Sequence, residues 1–215
     1  MVSLVFLTSL LPFVYAHFQL NSPPARGFDE DTLATFPCGG QDTVSSNRSM
    51  FPLTGGPIQL NMEHDHAEVQ VLLALGNVPA DNFNIVLQPI FMEEGIGKFC
   101  MGDVMVPSSL GIKDGDNGTI QVVTNGDPNG GLYNCADVTF SSSAPMGDCT
   151  NGTGVTATSY TGPNKNSNGS DSSMGSGSGT GTAATASPSP TSGAGLSIEL
   201  GLWSVVGAVF VAALA

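Results

Sequence analysis

Between residues 63 and 75 the side chains alternate in a way that admits one kind of local structure. Ala67, Val69, Val71, Leu73 and Leu75 share one parity, while His64, His66, Glu68 and Gln70 share the other. A period of two is that of a strand with one face in the core, and it puts both histidines on the face away from the core. Residues 58–60, 84–90, 98–106, 119–124 and 132–140 are further short runs rich in Val, Ile and Phe, separated by Gly, Pro and Asp/Asn turns. Residues 17–20 read as an edge strand stopped by Pro23 and Pro24, which cannot donate to a ladder. Several short strands without a long helical period predict an all-β fold, an antiparallel β-sandwich.

The two ends differ from this middle. Residues 1–16 carry an apolar run and then Val14 and Ala16, the small residues a signal peptidase needs, so a secretory signal is expected to end at Ala16 and leave His17 first. The folded domain is expected over 17–150. Residues 151–193, dominated by Gly, Ser, Thr, Asn and Ala, hold too little apolar surface to offset ordering entropy and read as a disordered stalk. The last segment, 194–215, ends in LGLWSVVGAVFVAALA with no basic residue behind it, and small residues stand at Ser192, Gly193 and Ala194. That pattern fits a glycosylphosphatidylinositol (GPI) anchor signal with attachment at Ser192 or Gly193 better than a spanning helix. The expected location is the extracellular face of the plasma membrane, or the cell wall.

Eighteen acidic residues against five Lys and Arg give a formal net charge of -13, which leaves no cation cluster for nucleic acid. Cys38, Cys100, Cys135 and Cys149 contain no C-x2-C pair, and behind a secretory signal an even count reads as two disulfides. Three pairings are open; a sandwich stapled near its C-terminal end would suit Cys38 with Cys149 and Cys100 with Cys135. Asn47, Asn117, Asn151 and Asn168 each head an N-glycosylation sequon. Asp114 to Gly118 lacks the terminal Glu of a calcium loop, and Gly95-Ile96-Gly97 lacks the rest of a dinucleotide loop.

The histidines carry the chemistry. There are three, His17, His64 and His66. An N-terminal His offers its α-amine and imidazole to the same ion, and one further imidazole completes three nitrogens for Cu(II), which favours planar nitrogen and oxygen donors. Because the α-amine titrates near pH 8, a metal displaces its proton at modest cost. Met62, Met101 and Met105 are soft donors but read as core filler.

Taken together, His17-Phe18-Gln19-Leu20, Pro23-Pro24-x-Arg26-Gly27, Phe36-Pro37-Cys38-Gly39-Gly40, Phe51-Pro52-Leu53-x-Gly55-Gly56, Leu60-Asn61 before His64-Asp65, and Gly130-Gly131-Leu132-Tyr133-x-Cys135-Ala136-Asp137-Val138 resemble the fungal LPMO-like copper-binding proteins. These are GPI-anchored relatives of the lytic polysaccharide monooxygenases (LPMOs) and include the copper acquisition factors of pathogenic yeasts. The resemblance implies an immunoglobulin-like sandwich holding one Cu(II) in a histidine brace, with His17, His64 and Asp137 as ligands. His66 stands second, as a supplementary or first-contact ligand. The true monooxygenases generally place Tyr or Phe where Asp137 aligns, and a hard carboxylate favours Cu(II), so the expected role is capture, buffering or import of copper by a monomer. A membrane copper transporter is the expected recipient. Two other roles stand beside it: oxidative attack on cell-wall glycans, and a structural wall glycoprotein.

Overall fold

The computed structural model describes residues 17–126 and 130–162. They fall within the first of two units of the chain, Met1–Gly175. The expected signal segment, the stalk beyond residue 162, Asn168, Ser192, Gly193 and the apolar tail lie outside the described residues.

Nine strands and one 3-10 turn make up the regular structure of the described residues: β1 (Phe18–Ser22), β2 (Ser49–Pro52), β3 (Gly55–Met62), β4 (His66–Leu75), β5 (Ile85–Glu94), β6 (Gly97–Met105), the turn Ser108–Leu110, β7 (Asn117–Gly126), β8 (Gly130–Ser141) and β9 (Thr156–Ser159). Strands β1, β3 and β6 form one sheet, in that order; β2, β8, β7, β4, β5 and β9 form the other. The expected all-β sandwich is what the chain adopts. Its ladders are antiparallel except that β2 runs parallel to β8, pairing Ser49 with Val138 and Pro52 with Ser141. Among the described residues no helix is long and apolar enough to cross a membrane.

The core lies between the sheets. Phe18, Leu20, Ile58 and Leu60 meet Val69, Val71, Leu73, Ile120, Val122, Val138 and Phe140 there. Strand β4 supplies the alternating apolar set, of which Ala67 through Leu73 are buried and Leu75 is exposed. Its other face is polar only at the start. Beyond Gln70, Leu72 and Ala74 are buried in a second cluster with Phe83, Val123, Tyr133, Cys38 and Cys135. The connection between β1 and β2 covers that face, so β4 is buried on both sides along most of its length and open near the histidines.

The disulfides correct the expected pairing. Cys38 joins Cys135, with Cα atoms 5.2 Å apart, and Cys100 joins Cys149. On β8 the side chains alternate, and Cys135 belongs with Tyr133 to the outer cluster, whereas Ala136 and Val138 belong to the core. Cys135 therefore faces the covering connection and Cys38, with the whole sandwich core between it and Cys100 on β6. In the chain-entropy picture, a loop closed over 97 residues restricts the unfolded chain by roughly 4 to 5 kcal/mol.

Two elements escaped the sequence reading. Val155 is buried and β9 pairs with β5, opposing Phe91 to Ser159 and Glu94 to Thr156. The folded part thus runs past residue 150, where the expected stalk begins. All four side chains of β9 are exposed, so its pairing is carried by backbone and leaves no apolar signal. Strand β2 is only four residues long and has no period to read.

Glu93 is out of place in this interior. It lies opposite Ala67 on β4 and Ala157 on β9, is fully buried, and neither carboxylate oxygen finds a hydrogen-bond partner among the described residues. Burial, reinforced by neighbouring Glu94, pushes its pKa up to about 7. The folded state thus holds a proton that the unfolded chain releases near pH 4.5, and stability falls as pH rises between those values. Glu93→Gln is expected to remove that slope and to raise the melting temperature at pH 8, by about 3 kcal/mol in unfolding free energy; thermal melts of both chains from pH 4 to 8 measure it.

Candidate metal centre

The site forms where β3 hands over to β4. Phe18 pairs with Met62, and the Glu63 amide donates to the His17 carbonyl at 3.0 Å. His17 is therefore tied by backbone to the residue preceding His64. His64 and Asp65 occupy the short β3–β4 connection, and His66 is the first residue of β4. The connection is held from the β5–β6 turn, where the Gly95 amide donates to the Asp65 carbonyl at 2.8 Å. Gly95 has φ +112, and a Cβ there would approach the Gly154 carbonyl to 2.5 Å, so only glycine fits this crossing of three segments.

The side chains of His64, Asp65 and His66 each offer a ligand atom within 4.8 Å of the others. One Asp65 carboxylate oxygen lies 3.1 Å from His64 Nδ1 and 2.8 Å from His66 Nδ1. His64 Nδ1 is also 3.0 Å from the His66 carbonyl. Both rings thus have Nδ1 facing oxygen acceptors, which assigns the hydrogen to Nδ1 and leaves the Nε2 lone pairs for a metal. The imidazoles stand edge to face, centroids 5.0 Å apart. His64 is the more sheltered, at 25% side-chain exposure against 59% for His66 and 71% for Asp65. Two imidazole nitrogens suit copper, and the Asp65 carboxylate behind them fixes how the rings point.

Asp137 is not brought to this cluster. It pairs with Thr119 on β7, which pairs with Ala74 on β4, eight residues along the strand from His66. At about 3.3 Å per residue that is roughly 26 Å. On the outer face of β8, its carboxylate accepts from Arg26 Nε and Nη2, both at 2.8 Å, from the Thr119 hydroxyl at 2.6 Å and from the Ser45 amide at 2.7 Å. Arg48 Nη1 stands 3.8 Å away. Burial raises the Asp137 pKa, but these donors outweigh it and hold the carboxyl below its usual range. The side chain is spent as the counterion of Arg26. Arg26 and Asp65 are the residues that sequence reasoning passed over. Each stands in a family motif, Arg26 after Pro23-Pro24 and Asp65 after His64, but neither motif gives it a role. Tyr133 is buried in the outer cluster and stacks edge to face with Phe36.

The sequence profile of the Copper acquisition factor BIM1-like family matches residues 15–154. The chain belongs to this family. An uncharacterized protein of Aspergillus fumigatus is 50% identical over 73% of the chain and 68% of its own length. The lytic polysaccharide monooxygenase-like protein ham-7 of Neurospora crassa is 34% identical, with 62% of this chain and 66% of that protein covered. The copper acquisition factor BIM1 of Cryptococcus neoformans is 31% identical, with 62% and 65% covered. The chain therefore spans about two thirds of the length of each.

Asp137→Asn leaves Arg26 buried without its charge partner, so unfolding free energy is expected to drop by about 3 to 5 kcal/mol. The Cu(II) equivalents bound by the folded fraction are expected to stay the same. Denaturant melts and a copper titration on one preparation check both, and loss of the bound equivalent would return Asp137 to the metal site.

Proposed function

We propose that this protein captures copper outside the cell through His17, His64 and their neighbours, and holds it for uptake. The observation that supports the reading is the backbone bond from Glu63 to His17, which ties the first residue of the expected mature chain to the residue before His64. Removal of residues 1–16 turns the His17 nitrogen from an amide into an amine. The amine, the His17 ring and His64 Nε2 then supply the three nitrogens of a brace for one Cu(II). Asp65 orients His66, and this more exposed pair meets the ion first.

Two disulfides support an oxidising, exported setting. The family name supports copper as cargo. With Asp137 spent on Arg26, its preference for Cu(II) no longer argues against oxidative chemistry, so holding over oxidising rests on the family and on the surface beside the cluster. The exposed apolar side chain next to Gly95 is Ile96, which offers no aromatic face to a sugar ring. Attachment through a GPI anchor and delivery to a membrane copper transporter complete the reading.

The test is a Cu(II) titration of the processed domain followed by electron paramagnetic resonance. One ion per chain with nitrogen couplings is expected. His64→Ala, and separately one extra residue ahead of His17, are each expected to weaken binding about tenfold or more. Unchanged binding by the extended form overturns the brace. Oxidised oligosaccharides from chitin, β-glucan or cellulose with copper, reductant and peroxide would make the protein an enzyme.

A further inference from the structure

A groove between β5, β6 and β9 lies apart from the histidine cluster. Its volume is about 300 Å³, at the low end for sites that hold small molecules. Phe91, Phe99 and Met101 give it an apolar side, Thr158 and Ser159 a polar one, and Asn151 lines it as well. Asn151 heads the sequon 151–153. Its Oδ1 accepts from the Cys100 amide at 2.6 Å, so the side-chain amide is held at the groove beside the Cys100–Cys149 disulfide. The other branch of that amide is Nδ2, the atom an N-glycan substitutes.

The other described sequons are built differently. At Asn117, Nδ2 donates to Asn77 Oδ1 at 2.7 Å and Oδ1 accepts from the Thr139 hydroxyl at 2.6 Å. The acceptor Thr119 of that sequon is fully buried, with its hydroxyl given to Asp137. A sugar on Asn117 must compete with Asn77 for its place. Asn47 is exposed in the Ser45 turn, where its amide donates to the Ser45 hydroxyl.

We propose that Asn151 carries an N-linked glycan whose first sugar lies in the β5–β6–β9 groove, and that Asn117 is left unmodified. In the transfer, Asn151 Nδ2 bonds to the anomeric carbon of an oligosaccharide held on a lipid diphosphate. The carbon–oxygen bond to the diphosphate breaks and one amide proton leaves. An N-acetylhexosamine suits the groove because its ring faces carry C–H groups for Phe91, while its hydroxyl and acetamido groups meet Thr158 and Ser159. The sugar covers apolar surface that would otherwise face water beside an edge strand. This depends on export and is independent of how copper is bound.

The full chain is expressed through a fungal secretory pathway and its peptides are sequenced by mass spectrometry. The expected result is glycan on Asn151 and none on Asn117. Thr153→Ala removes the acceptor hydroxyl but keeps the Asn151 bond to Cys100, so it separates loss of the sugar from loss of that bond; Asn151→Gln loses both. In Thr153→Ala, and in wild type deglycosylated after folding, amide exchange over residues 99–101 and 156–159 is expected to quicken about twofold or more. Binding of an apolar dye is expected to rise in both. Exported protein unmodified at Asn151, or a Thr153→Ala chain with unchanged exchange and dye binding, overturns the proposal. So does a chain retained in the cell with Met1 still attached, an outcome that removes the extracellular brace as well, whereas the first two outcomes leave the copper reading standing.

Discussion

The charge pair between Arg26 and Asp137 holds the long connection after β1 against the outer face of the larger sheet. Taking both charges out of water is costly, and the cost is met by two short bonds from the guanidinium together with those from Thr119 and the Ser45 amide. Arg26 also donates to the carbonyls of Gln41 and Asp42, so a single side chain draws both ends of the connection to one carboxylate. With the connection in place, Cys38 meets Cys135 and Phe36 meets Tyr133. The second apolar cluster, with Leu72, Ala74 and Val123, is then closed to water. The central strands become buried on both faces, which makes them a rigid plank from which the β3–β4 connection projects.

Much of this was legible in the chain. The period-two run of β4 predicts its inward face, and the short Val- and Ile-rich runs place most of the other strands, because a sandwich core writes alternation into sequence. What could not be read shares one physical cause: pairing that leaves no mark on side-chain polarity. Strand β9 is held through its backbone, and β2 pairs in parallel over only four residues. The outer face of β4 changes from wet to dry at Gln70 because of a segment distant in sequence. The cysteine pairing follows the same rule, since which face of β8 carries Cys135 depends on register that composition does not record.

At the candidate site, the three histidines were legible because few side chains bind copper well and this chain has only three of that kind. The role of Asp137 is not legible in this way, because a carboxylate in a family motif reads the same whether it serves a metal or an arginine. Strand register separates the two roles by placing it at the other end of β4. Asp65, which the motif names without a role, is the carboxylate that touches both rings.

The last strand has a mechanical meaning as well. Residues beyond Ser159 continue from an edge strand whose four side chains are exposed, so tension on that continuation falls first on the β5–β9 ladder and not on the core. The ladder peels before anything deeper yields. Peeling stops at Cys149, because its bond to Cys100 anchors the chain covalently to β6. The described fold therefore carries a short tearaway strip backed by a rivet, with buried Val155 and the crossing of Gly154 over Gly95 lying between the two.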